Sequence, residues 1–303
     1  MNRILFLLFL FISLNLNAVD IKRIFVNPAL YITGSNSLLD KGNVFFPDQL
    51  FTDKYEKYKW LNYLIAYYKS YEKSIHSIEF LCNEDSYKSV FVMQNGDRYA
   101  SGNCVDISDD MKKLPRIYDY PSGKEILFHS GIYFFNDENY EFFFSVYGKT
   151  VEEINKNLKP VKIFGKTHLF NKKNNAAASL RKSLEEIERT AKSSNEIRKW
   201  IDGISSINTY SRRTVANENR PSLHSLGIAI DFVIAKSKNV YWLWSSRYKG
   251  DWWNIPIDER DEAPQKVVEI FEKYGFVYGG KWFRFDCMHF EYRPEIICYN
   301  SAF

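Results

Sequence analysis

From Tyr55 to Lys73 apolar and aromatic residues recur at helical spacing, with Leu61, Leu64, Ile65 and Tyr68 on one side. That spacing predicts an amphipathic helix. Between residues 76 and 104 the pattern shortens to extended runs, Ile78 and Phe80 first and Val90-Phe91-Val92 later, around the turn-rich Asn83-Glu84-Asp85 and Asn95-Gly96-Asp97. Asn-Gly between extended runs signals a hairpin, because both residues tolerate the positive φ of a tight turn. A loop-like stretch with Pro115, Pro121 and Gly123 follows, and then an aromatic run from Ile132 to Val146 that ends at Tyr147-Gly148.

The second half opens on a helical pattern from about Asn174 to Lys192. Ala177, Leu180, Leu184, Ile187 and Ala191 fall on one face, and Lys and Glu cover the other. A shorter helix is predicted from Asn195 to Asp202, stopped at Gly203. Beyond the irregular stretch from Tyr210 to Pro221, the run from Gly227 to Phe232 reads as a strand with Ala229 and Asp231 on one face and Ile228 and Ile230 on the other. A third helix, from roughly Ala263 to Tyr274, points Val267, Ile270, Phe271 and Tyr274 inward and stops at Gly275. Gly279-Gly280 then turns into Trp282-Phe283-Arg284-Phe285, a strand whose continuation delivers Asp286 and His289. The fold class expected is α+β: residues 156–303 as a domain with an antiparallel sheet and flanking helices, preceded by a smaller α+β region over residues 19–155.

Composition changes this picture at the N-terminus. Asn2 and Arg3, an apolar run from Ile4 to Leu14 and a small residue at Ala18 have the layout of a secretory signal peptide, residues 1–18. The apolar run is shorter than the ~20 residues of a spanning helix, and nothing downstream is long and apolar enough to span. An exported protein, periplasmic or in the cell envelope, is expected. Export makes Cys82, Cys104, Cys287 and Cys298 candidates for disulfides, Cys82 with Cys104 and Cys287 with Cys298 being the local solution; free buried thiols are the alternative. The net charge of +4 falls only to +3 when Arg3 is removed, too little to indicate nucleic acid as a partner. A local excess of Lys156, Lys159, Lys162, Lys166, Lys172 and Lys173 reads as a solvated face, with an anionic wall polymer as the other reading.

Two segments carry the chemistry. Ser222-Leu223-His224-Ser225-Leu226-Gly227-Ile228-Ala229-Ile230-Asp231 and Asp286-Cys287-Met288-His289 together supply two imidazoles and a carboxylate suited to one Zn²⁺, with Asp286 left over. Three protein ligands leave a tetrahedral ion one open position, the mark of a catalytic site. His76, His129 and His168 have no partner at ligand spacing and stand outside it.

These segments resemble the zinc D-alanyl-D-alanine carboxypeptidases and dipeptidases of the VanY and VanX type, to which the endolysin-type L-alanyl-D-glutamate peptidases are related. The family motif S-x-H-x-x-G-x-A-x-D is filled by Ser222, His224, Gly227, Ala229 and Asp231, and the acidic residue three positions before a histidine by Asp286 and His289. The likeness covers roughly residues 160–303. It implies His224, Asp231 and His289 as zinc ligands and Asp286 as general base. Glu291, two residues after His289, is the alternative base or a carboxylate supporting the ligands. Arg213 matches a family arginine that binds substrate or steadies the oxyanion, with Arg212 adjacent. Ser222 binds substrate or holds its turn, and Trp282 lines the cleft or packs in the core. Aspartate at 286 departs from the glutamate of the VanY type and matches what the endolysin type can carry. The resemblance implies peptidoglycan stem peptides as substrate and removal of a terminal D-amino acid as the reaction. The alternatives are an endopeptidase cutting a cross-link or an L-Ala-D-Glu bond, and a non-catalytic, zinc-stabilised wall-binding module.

Overall fold

In the computed structural model the described residues are 22–26, 64, 66–82, 87–100, 140–214, 221–235, 263–281 and 286–301. Four N-terminal strands, β1 (Lys22–Val26), β2 (Ile75–Cys82), β3 (Tyr87–Met93) and β4 (Arg98–Ala100), form an antiparallel meander in the order β1-β2-β3-β4. The Asn95-Gly96 turn joins β3 to β4 as expected: Gly96 takes φ +86° and its N–H reaches the Met93 carbonyl, while Asn95 Oδ1 accepts from the Asp97 N–H. Leu64 and residues 66–70 of the first predicted helix are helical, with Leu64, Ala66 and Tyr67 buried. The helix ends at Ser70 rather than Lys73, residues 71–73 forming a turn that leads into β2; residues 55–63 and 65 of that span, the loop around Pro115 to Gly123 and residues 1–18 lie outside the described residues.

The aromatic run resolves at its end into a helix, α1 (Tyr140–Tyr147), with Phe142, Phe143, Val146 and Tyr147 buried. Next come α2 (Val151–Asn157), capped by the Thr150 hydroxyl accepting from the Glu153 N–H, and the hairpin β5 (Leu158–Ile163) and β6 (Lys166–Asn171). The predicted amphipathic helix is α3 (Ala176–Ala191), and each of its five expected core positions is buried. Ser194 caps α4 (Asn195–Gly203), its Oγ accepting from the Ile197 N–H.

The C-terminal sheet comprises β7 (Ile204–Asn208), β8 (Ala229–Ile234), β9 (Phe276–Tyr278) and β10 (His289–Tyr292) in the order β7-β8-β10-β9, antiparallel throughout. Helix α5 (Gln265–Lys273) precedes β9 and packs on α3, and α6 (Pro294–Ser301) follows β10. Because β8 and β10 are inner strands, the alternation expected along 228–231 does not separate buried from exposed: Ile228, Ala229, Ile230 and Asp231 are all buried. The strand also starts at Ala229 rather than Gly227, since Gly227 takes a left-handed φ of +67° that no strand continues through.

Aromatic rings fill the space behind this sheet. Phe271 and Phe290 centroids are 4.3 Å apart and Tyr278 stacks on Phe290 at 4.7 Å, contacts that stabilise by about 0.5–1.5 kcal/mol each beyond burial. One hydrophobic cluster runs from Leu64 and Tyr71 through Phe142 and Phe143 to Phe290 and Ile296, so packing is continuous across residue 155. The local Cys287–Cys298 disulfide is not formed. Cys287 is buried in the turn before β10, and Cys298 on α6 faces Lys69 and Ser70 instead. The other pairing falls outside the described side chains. No described helix is long and apolar enough to cross a membrane.

Candidate metal centre

His224 sits on a short 3-10 turn, Leu223–Leu226, that is fastened at both ends. At its start the Ser222 Oγ accepts from the His224 N–H at 3.3 Å and the Ser222 N–H donates to the Arg213 carbonyl at 3.0 Å. At its end Gly227 closes the turn with its N–H on the His224 carbonyl. A Cβ on Gly227 would come within 2.7 Å of Leu158 Cδ2, so glycine answers both the positive φ and the close approach of the β5–β6 hairpin. Asn171 locks the two together: its N–H donates to the Gly227 carbonyl, and its Nδ2 donates to the Leu226 and Tyr147 carbonyls at 2.9 and 3.0 Å.

Asp231 and His289 are directly opposite each other on β8 and β10. The ligand atoms of His224, Asp231 and His289 lie within 4.8 Å of one another, and all three residues are buried. His224 Nε2 is 3.1 Å from Asp231 Oδ1, and His289 Nδ1 is 2.7 Å from the same oxygen. The outer ring atoms decide what these inner atoms are. His224 Nδ1 is 2.6 Å from the Thr209 carbonyl, which only accepts, so Nδ1 carries the proton and neutral His224 turns the Nε2 lone pair inward. His289 Nε2 lies 3.0 Å from Glu291 Oε1, which holds a proton there and frees Nδ1 for the centre. Two imidazole lone pairs and a carboxylate oxygen converging on one buried point repel each other unless a cation lies among them.

Without a metal that cation is a proton. Burial alone would lower the His289 pKa, but hydrogen bonds to Asp231 and Glu291 reverse this and raise it well above the usual imidazole value. For Asp231 burial acts upward, and the hydrogen bonds from both histidines win, holding the carboxyl below the ordinary range. A divalent ion has to displace the proton on Nδ1. The two-nitrogen, one-oxygen donor set, each member deprotonatable and each histidine oriented from behind, fits Zn²⁺.

Asp286 stands at the rim of this trio. Its Oδ1 is buried with no protein hydrogen-bond partner, and burial pushes its pKa up to about 7. An orphaned carboxylate oxygen of this kind is suited to take a proton from a water and release it again. It is brought there by a tight turn: the Asp286 N–H donates to the Gly279 carbonyl and its own carbonyl accepts from the His289 N–H. A Cβ on Gly279 would lie 2.6 Å from the Asp286 carbonyl oxygen, which makes that glycine the element allowing the approach.

Arg213 rather than Arg212 is directed at the centre. Its Nη2 lies 3.5 Å from Asp231 Oδ2 while the side chain remains 44% exposed, so the guanidinium reaches from the ligand out to where substrate can come. Ser225 holds its backbone, donating to the Arg213 carbonyl at 2.7 Å and accepting from the Arg213 N–H. Ser222 spends its hydroxyl on the His224 turn. Glu291 stands behind His289, where it orients the ligand, and Arg293 Nη1 is 3.4 Å from its second oxygen. Trp282 lies outside the described residues, as does His129. Exposed His76 and half-buried His168 are not in the cluster. The sequence reading missed the Thr209 carbonyl, Asn171 and Ser225. A backbone carbonyl has no residue signature, and a clamp such as Asn171 to Leu226 spans 55 residues; Ser225 lay inside the motif, where its spacing to the ligands was visible.

Residues 216–292 match the family described as D-alanyl-D-alanine carboxypeptidase. No curated protein and no solved structure matches the chain. The matched segment contains His224, Asp231, Asp286, His289 and Glu291, whereas Arg213, Asn171 and Arg293 lie outside it. The converging ligands and the match agree: the segment from 216 to 292 is similar to the D-alanyl-D-alanine carboxypeptidase family, whose members are zinc peptidases, and it contains the three residues that could hold a metal ion.

Proposed function

We propose that the protein is a zinc-dependent peptidase that removes a terminal D-amino acid from peptidoglycan stem peptides. The observation that carries this reading is the pairing of a three-ligand, inward-facing donor set with an unpartnered buried oxygen on Asp286. His224 Nε2, His289 Nδ1 and an Asp231 oxygen would hold the ion. Bound there, zinc supplies a Lewis acid that polarises the scissile carbonyl and acidifies an attacking water.

The chain's own groups account for the remaining steps. Asp286 accepts the proton of the attacking water and passes it to the departing amine, in the two roles of general base and then general acid. Burial raises its pKa, to about 7 in the metal-free protein, and this upward push favours a carboxyl that both takes a proton and returns it. Arg213 offers charge-assisted hydrogen bonds to the developing oxyanion or to the substrate's terminal carboxylate. Thr209 and Glu291 keep the two imidazoles in the required tautomers.

Aspartate at 286 also supports a second reading, cleavage of an internal L-alanyl-D-glutamate bond, because the shorter side chain suits the endolysin type. A non-catalytic binding module has less in its favour, since the base position is filled. The apolar N-terminus and Ala18 support export to the periplasm or cell envelope. Incubation of the mature protein with tetra- and pentapeptide muropeptides, with mass detection of products, separates the readings. Loss of one alanine, abolished by chelator and restored by zinc, is the expected result. A fragment cut after L-alanine would establish the endopeptidase, and no mass change with zinc still bound would leave the binding module.

A further inference from the structure

The carboxylate behind His289 is itself held by buried charges that the proposed chemistry does not use. Arg293, just past β10, directs Nη1 toward Glu291 Oε2 at 3.4 Å and Nε to Glu295 Oε1 at 2.5 Å. Its N–H is fixed on the Gly275 carbonyl, and its guanidinium lies over the Phe143 ring, 4.7 Å from the centroid. Glu295 is fully buried, and its other oxygen accepts from the Tyr71 hydroxyl at 2.7 Å, a contact spanning 224 residues. Tyr71 is fully buried and packs edge-on against Phe142.

Each link constrains the next. A guanidinium is a planar fork, so fixing Nε on Glu295 fixes where Nη1 points. An arginine so aimed holds the Glu291 carboxylate in the plane from which it accepts the His289 Nε2 proton. The Glu295 carboxylate is held at both oxygens, by Arg293 Nε on one and by the Tyr71 hydroxyl on the other. Phe143 and Tyr71 belong to the half of the chain upstream of residues 216–292, and Arg293 and Glu295 fall just beyond that segment.

We propose that Tyr71, Glu295 and Arg293 are positioning residues of the metal centre, linked through Glu291 to His289, and that the N-terminal half thereby completes the zinc site. The inference rests on the zinc reading above. A role for the upstream half follows from it: separated from the segments that carry Tyr71 and Phe143, the C-terminal half would keep its ligands and lose the partners that hold one of them in place.

The test uses the full mature chain. Zinc affinity is measured by competition with a chromophoric chelator, and ligand geometry by the visible spectrum of the cobalt(II) form, for wild type, Tyr71→Phe, Glu295→Gln, Glu291→Gln and the double variant Tyr71→Phe/Glu291→Gln. Glu291→Gln is expected to weaken zinc by about 10–100-fold. Tyr71→Phe, two links further out, is expected to weaken it by about threefold and shift the cobalt bands. In the double variant the Tyr71 effect disappears, because Tyr71 acts through Glu291. Tyr71→Phe is nearly isosteric and keeps the test open should Glu295→Gln fail to fold. The inference is overturned if Tyr71→Phe lowers the melting temperature yet keeps wild-type zinc affinity and cobalt spectrum, as a purely structural hydroxyl would. A wild-type chain that binds no zinc would instead remove the reading on which the inference stands.

Discussion

Among the described residues there are two four-stranded antiparallel sheets, and the candidate metal centre lies on the C-terminal one. The N-terminal meander takes its strands in chain order, and its described core positions, Ile75, Ile78, Val90, Phe91 and Met93, are apolar. In the C-terminal sheet the strand order β7-β8-β10-β9 is not that of the chain, and its two inner strands place Asp231 against His289. Ionisable groups in such a position are expensive to bury unless each has a partner. Here each has one or more: Thr209 and Asp231 for His224, Asp231 and Glu291 for His289, and Arg213 with both histidines for Asp231. The same sheet architecture is a packing surface at one end of the chain and a polar site at the other, and what separates them is a connected set of partners behind the inner strands.

The sharpest way to break the comparison is at Asp286, whose buried Oδ1 has no hydrogen-bond partner in the protein. Asp286→Asn is expected to lower kcat by about 10²–10⁴-fold, the usual contribution of a positioned acid–base group, with zinc still bound. The same change should stabilise the metal-free protein. Burial raises the Asp286 pKa from 3.8 to about 7, so the folded state holds its proton more tightly than the unfolded chain. Stability is therefore lost as pH rises between those two values, and asparagine removes that loss. Thermal melts of the apo forms across this range check it: the wild-type curve falls toward pH 7, and the asparagine variant lacks this component.

In the meander a comparable insult is purely structural. Ile78→Ala, at a position only 2% exposed, is expected to destabilise by about 2–5 kcal/mol in denaturant titrations, while the folded fraction binds zinc as wild type does. A fall in zinc affinity beyond the unfolded fraction would show the meander to be part of the site.

Two glycines refine the contrast. Gly96 in the meander turn and Gly227 behind the metal ligands both have positive φ, +86° and +67°. A Cβ at Gly96 meets nothing within 4 Å, whereas at Gly227 it meets Leu158 and the Asn171 backbone. Gly227→Ala is accordingly expected to destabilise by about 1–3 kcal/mol and to weaken zinc through His224. Gly96→Ala is expected to destabilise by about 1 kcal/mol from conformation alone, with zinc binding unchanged. Equal losses in the two variants would mean that crowding at Gly227 is relieved elsewhere.

The C-terminal half was the more legible of the two from its residues. The helical stripe of α3, the stops at Gly203 and Gly275, and the ligand spacing in Ser222 to Asp231 and Asp286 to His289 are local patterns, each within a few turns of chain. The Asn95-Gly96 hairpin was legible for the same reason. What escaped were contacts that join distant segments or involve the backbone: Asn171 clamping the Gly227 turn, the Thr209 carbonyl setting a tautomer, and Tyr71 meeting Glu295. The alternation along β8 also gave no sign that both faces would be covered, since burial of an inner strand depends on what packs from outside it. The absent Cys287–Cys298 bond belongs here too: proximity in sequence does not decide which way α6 turns its cysteine, and Cys298 faces the helical segment at Lys69 and Ser70.

Equilibrium zinc titration of the wild-type chain beside Asp231→Ala, with bound metal counted by elemental analysis, tests the central claim most directly. One zinc per wild-type chain, lost from a variant that remains folded, is the expected result. No zinc in the wild type, or one zinc retained with equal affinity when Asp231 is removed, would contradict the assignment of His224, Asp231 and His289 as the metal centre.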